Sequence, residues 1–480
     1  MFIKSLLALY GPQFPRIVVY MLQSTEYQLG KYLRWLWSTG NFAKVMYRKS
    51  LVFTRATKLL LLTLVAGMAA QYIGSLVWAT SLAANDQLSL IGYPLALFLM
   101  TPIIWAHLIN LPVWLGRYLI NYPIQAFQVR RSKSIFAKHQ AVKIAVAGSY
   151  GKTTMKELLL VVLSEGMKVT ATPANKNVSV SHAQFAKKLK GDEEVLVIEY
   201  GEGAPGDISR FVSNTGPDIG IITGLAPAHM DRYKTLRQAG EDIFFLADYL
   251  DNQNIYVNGE SESIKPFLKP SHVIYNSSRV GEWRISDVKV GLRGLSFKLS
   301  HKKRVLNLRS QLLGRHQVGP LALAAFLAAK FGLSDEQIVR GVSKVRPFEH
   351  RMQAKKINGA WLLDDTYNGN IEGIKAGLQL LTELPGKRKI YVTPGLVDQG
   401  KQSAQIHHQL GRLIAVAKPD IVVLMKHSVT QDIESGLREG NFKGQLMIEN
   451  DPLNFYHNLD QFMASGDVVL MQNDWPDNYK

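Results

Sequence analysis

The chain has 480 residues, an ordinary apolar content and a formal net charge of +18, so it is long enough for two or three domains with separate cores. It holds no cysteine, which excludes disulfides, thiolate metal sites and a cysteine nucleophile. So large a positive charge asks for an anionic partner or surface, nucleic acid or a membrane face, and its distribution along the chain decides between them.

The first 58 residues carry nine Lys or Arg (Lys4, Arg16, Lys31, Arg34, Lys44, Arg48, Lys49, Arg55, Lys58) against one acid, Glu26. Two apolar stretches follow, Leu59 to Leu82 and Leu90 to Leu115, each longer than the roughly 20 residues a helix needs to cross the hydrocarbon layer. Their connection holds one charge, Asp86, and Arg117, Arg130, Arg131, Lys133 and Lys138 come after the second stretch. Basic flanks on both outer sides predict a multi-pass transmembrane hairpin over 59–115, with the basic segment 1–58 and everything after residue 116 in the cytoplasm. Residues 116–140 read as a basic linker. The apolar runs begin too late and run too long for a cleaved signal peptide. Pro102 and Pro112 favour the alternative, two buried helices of a soluble domain, yet membrane helices tolerate such kinks. On the hairpin reading the basic excess faces membrane lipid, and no aromatic-basic pattern elsewhere points to nucleic acid.

From residue 141 the texture changes. Short β-branched runs alternate with helical stretches: Val142 to Val146, Val195 to Tyr200, Asp218 to Thr223, Ile255 to Asn258, Trp361 to Leu363, Ile390 to Thr393, Ile421 to Leu424 and Val468 to Met471. Such alternation predicts α/β domains with mostly parallel sheets covered by helices. Residues 277–310 read instead as antiparallel hairpins with turns at Gly291 and Gly294, and a break at Pro347 separates a central domain, 141–346, from a Rossmann-like C-terminal domain, 347–480. No short-period repeat is found. His407 and His408 read as helix-surface residues, and Lys387-Arg388-Lys389 as a solvated turn.

Within the central domain "AVAGSYGKTTMKEL", residues 145–158, sets a glycine-flanked Lys-Thr-Thr between a strand and a helix predicted to start near Met155. Gly148, Ser149, Tyr150 and Gly151 allow backbone N–H groups to turn inward, and the helix N-terminus that follows Lys152, Thr153 and Thr154 adds partial positive charge. Lys152 then reaches the outer phosphates of a nucleotide and a Thr hydroxyl takes magnesium. The common eight-residue phosphate loop needs glycine where Val146 stands, so this is the shorter GxxGKTT form.

In that form the loop resembles the one of the Mur ligases, ATP-dependent amide-forming enzymes of peptidoglycan precursor synthesis, and the resemblance runs in order over roughly 340 residues. "TPANKNVSVSHA" is similar to the family's paired-asparagine segment, with Asn175 and Asn177 implied at the substrate. "VIEYGEGAPGDISRFV" is similar to the "ELGA…GEI" stretch of the member that adds D-alanyl-D-alanine, "ITGLAPAHMDRY" to the family's alanine-histidine element, and "LLGRHQVGPLALAA" to its core helix. "LLDDTYNGN", residues 362–370, is the most specific match. A terminal "NDWPDNY" resembles the ending of membrane-linked relatives.

The resemblance implies a ligase that moves the γ-phosphoryl of ATP onto a carboxylate and lets an amine displace the phosphate, here D-Ala-D-Ala joining a UDP-MurNAc-peptide. Phosphoryl transfer is mostly positioning and charge neutralisation, which fits Mg2+ with hard oxygen ligands. By the same resemblance Thr153 and Glu199 hold one magnesium and His229 a second, while Asp365, Tyr367, Asn368 and Asn370 contact ATP or the ligation centre. On residue type alone this last group reads as a strand-ending turn. Arg351 stands where the family has an arginine suited to phosphate or carboxylate.

Three departures stand out. Most family members carry a carbamate-modified lysine about a dozen residues after the histidine; residues 235–250 hold no lysine, so Glu241 is expected to stand in, with Asp242 as the weaker candidate. The family's "HN…N" pair near adenine is replaced by Gln317 and Pro320, of which only Gln317 presents an amide. The N-terminal domain that grips the UDP-sugar is replaced by the basic segment and hairpin, which leaves a lipid-linked or polymeric acceptor open. A polyglutamate-type ligase fits "LLDDTYNGN" less well, and a nucleotide-binding scaffold without catalysis is the reading outside the enzymes.

Overall fold

The structure is a computed structural model that describes residues 10–45, 50–173, 177–227, 232–367, 369–397, 399, 402–426 and 428–473. The chain divides into two units, Met1–Phe127 and Gln128–Lys480.

In the first unit two short helices, α1 (Phe14–Ser24) and α2 (Leu29–Ser38), share a core with a long helical pair, α3 (Arg55–Ala84) and α4 (Gly92–Leu108). Thr54 starts α3 by accepting the Thr57 N–H on its hydroxyl, an N-cap that satisfies one orphan donor. Close packing of α3 on α4 depends on Gly67, where an added Cβ would lie 2.0 Å from the Trp105 ring. The indole N–H of Trp105 donates to Gln71 Oε1 at 2.8 Å, and Gln71 Nε2 donates across to the Leu97 carbonyl at 3.2 Å. A polar side chain inside an apolar helix is thereby satisfied by its partner helix. Pro102 lies within α4, and the path continues helical through Asn110–Leu115 and a π-helical turn, Gly116–Asn121, into α5 (Tyr122–Lys138). The expected linker over 116–140 is therefore largely helix. By length and composition α3 and the run Leu88–Lys138 are each able to cross a membrane; only 22% and 17% of their most apolar windows are buried, whereas a core helix of a soluble domain is mostly covered.

The second unit takes in the end of α5 from Gln128, and β1 (Val142–Ala147) and α6 (Lys152–Leu163) follow. Then come β2 (Val169–Ala171), α7 (Ser179–Ala186), β3 (Val195–Glu199), α8 (Asp207–Thr215), β4 (Ile219–Ile222), α9 (Leu236–Tyr249), β5 (Ile255–Asn258) and β6 (Val273–Tyr275). A four-strand antiparallel extension continues the sheet: β7 (Arg279–Val280), β8 (Trp283–Gly291), β9 (Gly294–His301) and β10 (Arg304–Ser310); α10 (Val318–Lys330) and α11 (Asp335–Lys344) close the domain. All ten strands form one mixed sheet in the order β10-β9-β8-β7-β6-β5-β4-β1-β3-β2, parallel from β2 to β6. The period-two alternation of a strand sends Ile144 and Val146 of β1 into a core with α6, α10 and α11. Ala145 and Ala147 face a second core with α8 and α9. Both faces being covered explains the continuous apolar reading of this strand.

The C-terminal domain contains β11 (Gln353–Ile357), β12 (Ala360–Asp365), α12 (Ile371–Glu383), β13 (Lys389–Thr393), α13 (Ser403–Ala417), β14 (Ile421–Met425), α14 (Thr430–Glu439), β15 (Gln445–Glu449) and β16 (Val468–Gln472). Its sheet runs β11-β12-β16-β13-β14-β15, with β11 antiparallel and the rest parallel. The last strand among the described residues slots between the second and third of the domain, so the ends of β12 and β16 lie side by side. His407 does not lie on the helix surface. It is wholly buried, its Nδ1–H donating to the Ser403 carbonyl at 2.7 Å and its Nε2 accepting the Leu396 N–H at 2.9 Å. His408 is at the surface and pairs with Glu439. Arg388 is likewise no free turn residue, since it makes a two-pronged pair with Asp467.

Candidate active site

The phosphate-type loop is built as its sequence requires. β1 ends at Ala147, Gly148 takes φ +141° and Gly151 φ +75°, and α6 starts at Lys152. A Cβ on Gly148 would meet Thr223 Oγ1 at 2.4 Å, and one on Gly224 would meet the Tyr150 ring at 2.2 Å. The loop is thus clamped between β1 and the end of β4, where only glycine fits. The Ser149 N–H donates to the Gly224 carbonyl at 2.8 Å, and the Thr223 hydroxyl contacts the carbonyls of Ala147 and Tyr150. Burial raises the Tyr150 hydroxyl to about 12; a bond with Ser261 opposes this, and the charges of Glu372 and Glu260 add to it. Among the described residues no side chain caps α6, which leaves its leading N–H groups and dipole to an anion.

Behind the loop stand two carboxylates and two lysines. Glu199, at the end of β3 and 2% exposed, accepts the Thr153 hydroxyl on Oε1 at 2.9 Å and the Asn177 amide at 3.3 Å. Its Oε2 lies 3.3 Å from the Nζ of Lys156, a wholly buried lysine. Burial pushes His182 down to about 4, so the ring is neutral and its Nε2–H donates to the Glu199 carbonyl at 2.8 Å. Lys152 donates to the Gly148 carbonyl and, at 2.6 Å, to Glu202 Oε2. The structure therefore brings Gly148 to Thr154, Asn177 and Glu199 together, and it adds Lys156, Glu202 and His182, which sequence reasoning missed. Lys156 had a signal: it lies on the helical stripe of Leu159 and Leu163, where a solvated lysine would not sit. Glu202 stands where the quoted family stretch has alanine.

Glu241 was expected to replace the family's modified lysine at a second magnesium with His229; among the described residues it makes no contact with the loop. It lies on the outer side of α9, with its side chain 57% exposed, and pairs with Arg237 at 2.9 Å. The stripe Ala239, Ile243, Leu246 and Ala247 turns inward and carries Asp242 at its edge. Asp242 accepts the Gly206 N–H on Oδ1 and the Tyr233 hydroxyl on Oδ2, each at 2.8 Å. Burial raises its pKa in spite of those two bonds. His229 and Asn175 lie outside the described residues.

In the C-terminal domain, β12 ends in Asp364-Asp365. Asp364 meets His350 at 3.0 Å and Lys355 at 2.9 Å; burial raises its pKa, but the bonds from Lys355 and Thr366 outweigh this and hold it below the usual range. Among the described residues the Asp365 carboxyl accepts neutral donors alone, the Met352 N–H at 3.1 Å and the Gln472 amide at 2.8 Å. Burial raises it to about 6, with Arg351 opposing weakly. The Arg351 guanidinium lies 4.3 Å over the Tyr367 ring. Asn370 is more than a turn residue: its Oδ1 accepts the Glu372 and Gly373 N–H groups, both at 3.0 Å, and caps α12. Asn368 lies outside the described residues. Gln317 is engaged by its neighbour, its amide donating to His316 Nε2 at 2.9 Å, since burial pushes His316 to about 4 and leaves that nitrogen free to accept.

The donor set fits the groups the loop implies. Glycine-lined backbone and unshared helix N–H groups suit phosphate, and the Thr153 hydroxyl beside Glu199 offers hard oxygens for Mg2+. Among the described residues the buried Oε2 of Glu199 accepts no hydrogen bond and has only the ion-pair approach of Lys156 at 3.3 Å.

Residues 146–329 match the Mur ligase middle domain, and residues 350–472 match the Mur ligase, glutamate ligase domain. A UDP-N-acetylmuramoyl-tripeptide–D-alanyl-D-alanine ligase of Buchnera aphidicola is 28% identical over 57% of this chain and 62% of its own length. The Escherichia coli enzyme of the same name is 27% identical over 62% of this chain and 67% of its own. The chain thus spans about two thirds or less of these curated relatives. Among solved structures, MurF from Acinetobacter baumannii aligns with a TM-score of 0.63 at 22% identity, covering 73% of this chain and 77% of that one. MurF from Thermotoga maritima, in complex with ADP, aligns with a TM-score of 0.64 at 19% identity, covering 73% and 80%. With both domains matched in order over more than half of its length and the same fold in those structures, this chain belongs to the Mur ligase family.

Proposed function

We propose that this protein is an ATP-dependent carboxylate-amine ligase of peptidoglycan precursor assembly, joining D-Ala-D-Ala to a UDP-MurNAc-tripeptide at the inner face of the cytoplasmic membrane. The observation that carries this is the clamped Gly148–Thr154 loop with Lys152 and the Thr153–Glu199 pair at its mouth. The names of the curated relatives and the ADP held by one structural neighbour support it.

The loop N–H groups and Lys152 bind the nucleotide's outer phosphates, and Thr153 with Glu199 would hold Mg2+, which neutralises phosphate charge when bound. A substrate carboxylate oxygen attacks the γ-phosphorus and ADP leaves. The amine then attacks the acyl carbon and phosphate leaves, its proton passing to solvent or base. Arg351 and Asp365 carry the charge and proton capacity on the C-terminal side, and water kept from the acyl phosphate favours the amide. The apolar, largely uncovered α3 and α4 and the basic flanks support membrane lipid as a partner. Their place ahead of the catalytic domains motivates a second acceptor, a lipid-linked precursor.

The test incubates the full-length protein in nanodiscs with ATP, Mg2+, D-Ala-D-Ala and either acceptor, and identifies products by mass spectrometry. The expected result is ADP, phosphate and the extended UDP-linked peptide. Lys152→Ala should lower the rate at least about 100-fold, as loss of a charge-stabilising group does; an unchanged rate removes the proposal. Extension of the lipid-linked acceptor alone moves the substrate to that class.

A further inference from the structure

The loop lysine is already occupied. Lys152 Nζ sits 2.6 Å from Glu202 Oε2, and the two side chains are 11% and 3% exposed. Glu202 is rigidly placed: the Gly201 N–H donates to the Asn177 carbonyl at 2.9 Å, the Gly203 N–H donates to Asp207 Oδ2 at 3.1 Å, and a Cβ on Gly201 would strike Asn177 at 2.6 Å. Behind the loop Lys152 pairs with Glu202, while Lys156 stands between Glu199 and Glu157.

We propose that Glu202 is a counter-ion latch that makes nucleotide binding depend on a divalent cation. A polyphosphate that engages Lys152 takes it from Glu202 and leaves a buried carboxylate unpaired beside new negative charge, a state that low-dielectric surroundings penalise heavily. A divalent cation arriving with the phosphates removes that penalty. Thr153 and Glu199 would offer protein oxygens to such a cation and the phosphates would offer others, so the two ligands would arrive together. This rests on the nucleotide-binding reading above and assigns Glu202 a positioning role toward Lys152, distinct from that of Glu199.

The test is calorimetric ADP binding to the full-length protein in nanodiscs, with Mg2+ or with EDTA, for the wild type, Glu202→Gln and Glu202→Ala. Wild type is expected to gain at least about 100-fold in ADP affinity from Mg2+. Both variants are expected to bind ADP in EDTA at least about tenfold tighter than wild type, and to gain correspondingly less from Mg2+, because the competing carboxylate is gone. A lost fold alone would weaken binding under both conditions. Variants that match wild type in both conditions overturn the proposal. So does a wild-type Mg2+ gain below about tenfold, which needs no variant. Wild type that binds no ADP even with Mg2+ instead removes the nucleotide reading itself.

Discussion

Two strand ends carry buried acids, and they are provided for differently. At the end of β3, Glu199 has a wholly buried lysine on one oxygen and a hydroxyl and an amide on the other. At the end of β12 the cations go to Asp364, while Asp365 receives an amide and a backbone N–H. The first site sets a carboxylate against a cation and aims it with two further donors, which suits charge neutralisation beside phosphates. The second holds a carboxyl at about 6, able to exchange a proton near neutral pH. The difference lies in the counter-ion, since both acids end parallel strands and both are largely buried.

Removing that counter-ion is the strongest way to break the comparison. Lys156→Met leaves Glu199 without its cation and is expected to cost about 3–5 kcal/mol of stability, as the breaking of a buried pair does. Thermal unfolding of the full-length protein measures it. Adding Glu199→Gln should restore more than half, giving a coupling that a double-mutant cycle isolates. A single variant costing under about 1 kcal/mol would mean that Glu157, 3.2 Å from the same ammonium, and not Glu199, is its working partner.

Asp365→Asn tests the other end. The carboxyl is raised from 3.8 to about 6 by burial, so the folded state binds the proton more tightly than the unfolded chain. Asp365 therefore costs nothing below about pH 4, and the cost grows as pH rises to about 6 and is constant above that. The variant should be more stable than wild type by about 2–3 kcal/mol at pH 8 and equal to it at pH 4. Unfolding midpoints at the two pH values check this, and a difference independent of pH would show that burial does not shift the Asp365 carboxyl.

These contrasts mark what the sequence made legible. The loop from Gly148 to Thr154 was readable because glycine, lysine and helix start act through backbone geometry within a few residues. The strands were readable because both faces of the sheets are covered, though β12 extends to Asp365 and β3 stops at Glu199. Glu241 was preferred over Asp242 on side-chain reach, whereas helical phase sets where each lies: Ala239, Ile243 and Leu246 fix the inward stripe, and Arg237 with Glu241 lies outside. His407 shares the apolar stripe of Leu410 and Ile414, a signal of the same kind. The pairs Lys152–Glu202 and Lys156–Glu199 join residues more than forty positions apart, and no local pattern announces them. Their geometry follows from β1 and β3 lying side by side.

The smallest effect concerns Asn370, where cap and ligand readings meet. Asn370→Ala removes the acceptor for two N–H groups of α12 and is expected to cost about 1 kcal/mol. Asn370→Asp keeps the cap, because a carboxylate accepts the same bonds and favours a helix N-terminus, so its melting temperature should match wild type. If Asn370 also lies against a nucleotide phosphate, the added negative charge repels it. ADP affinity in Mg2+ would then fall by about tenfold or more, while an unchanged affinity leaves Asn370 as the residue that starts α12 and thereby sets the end of β12.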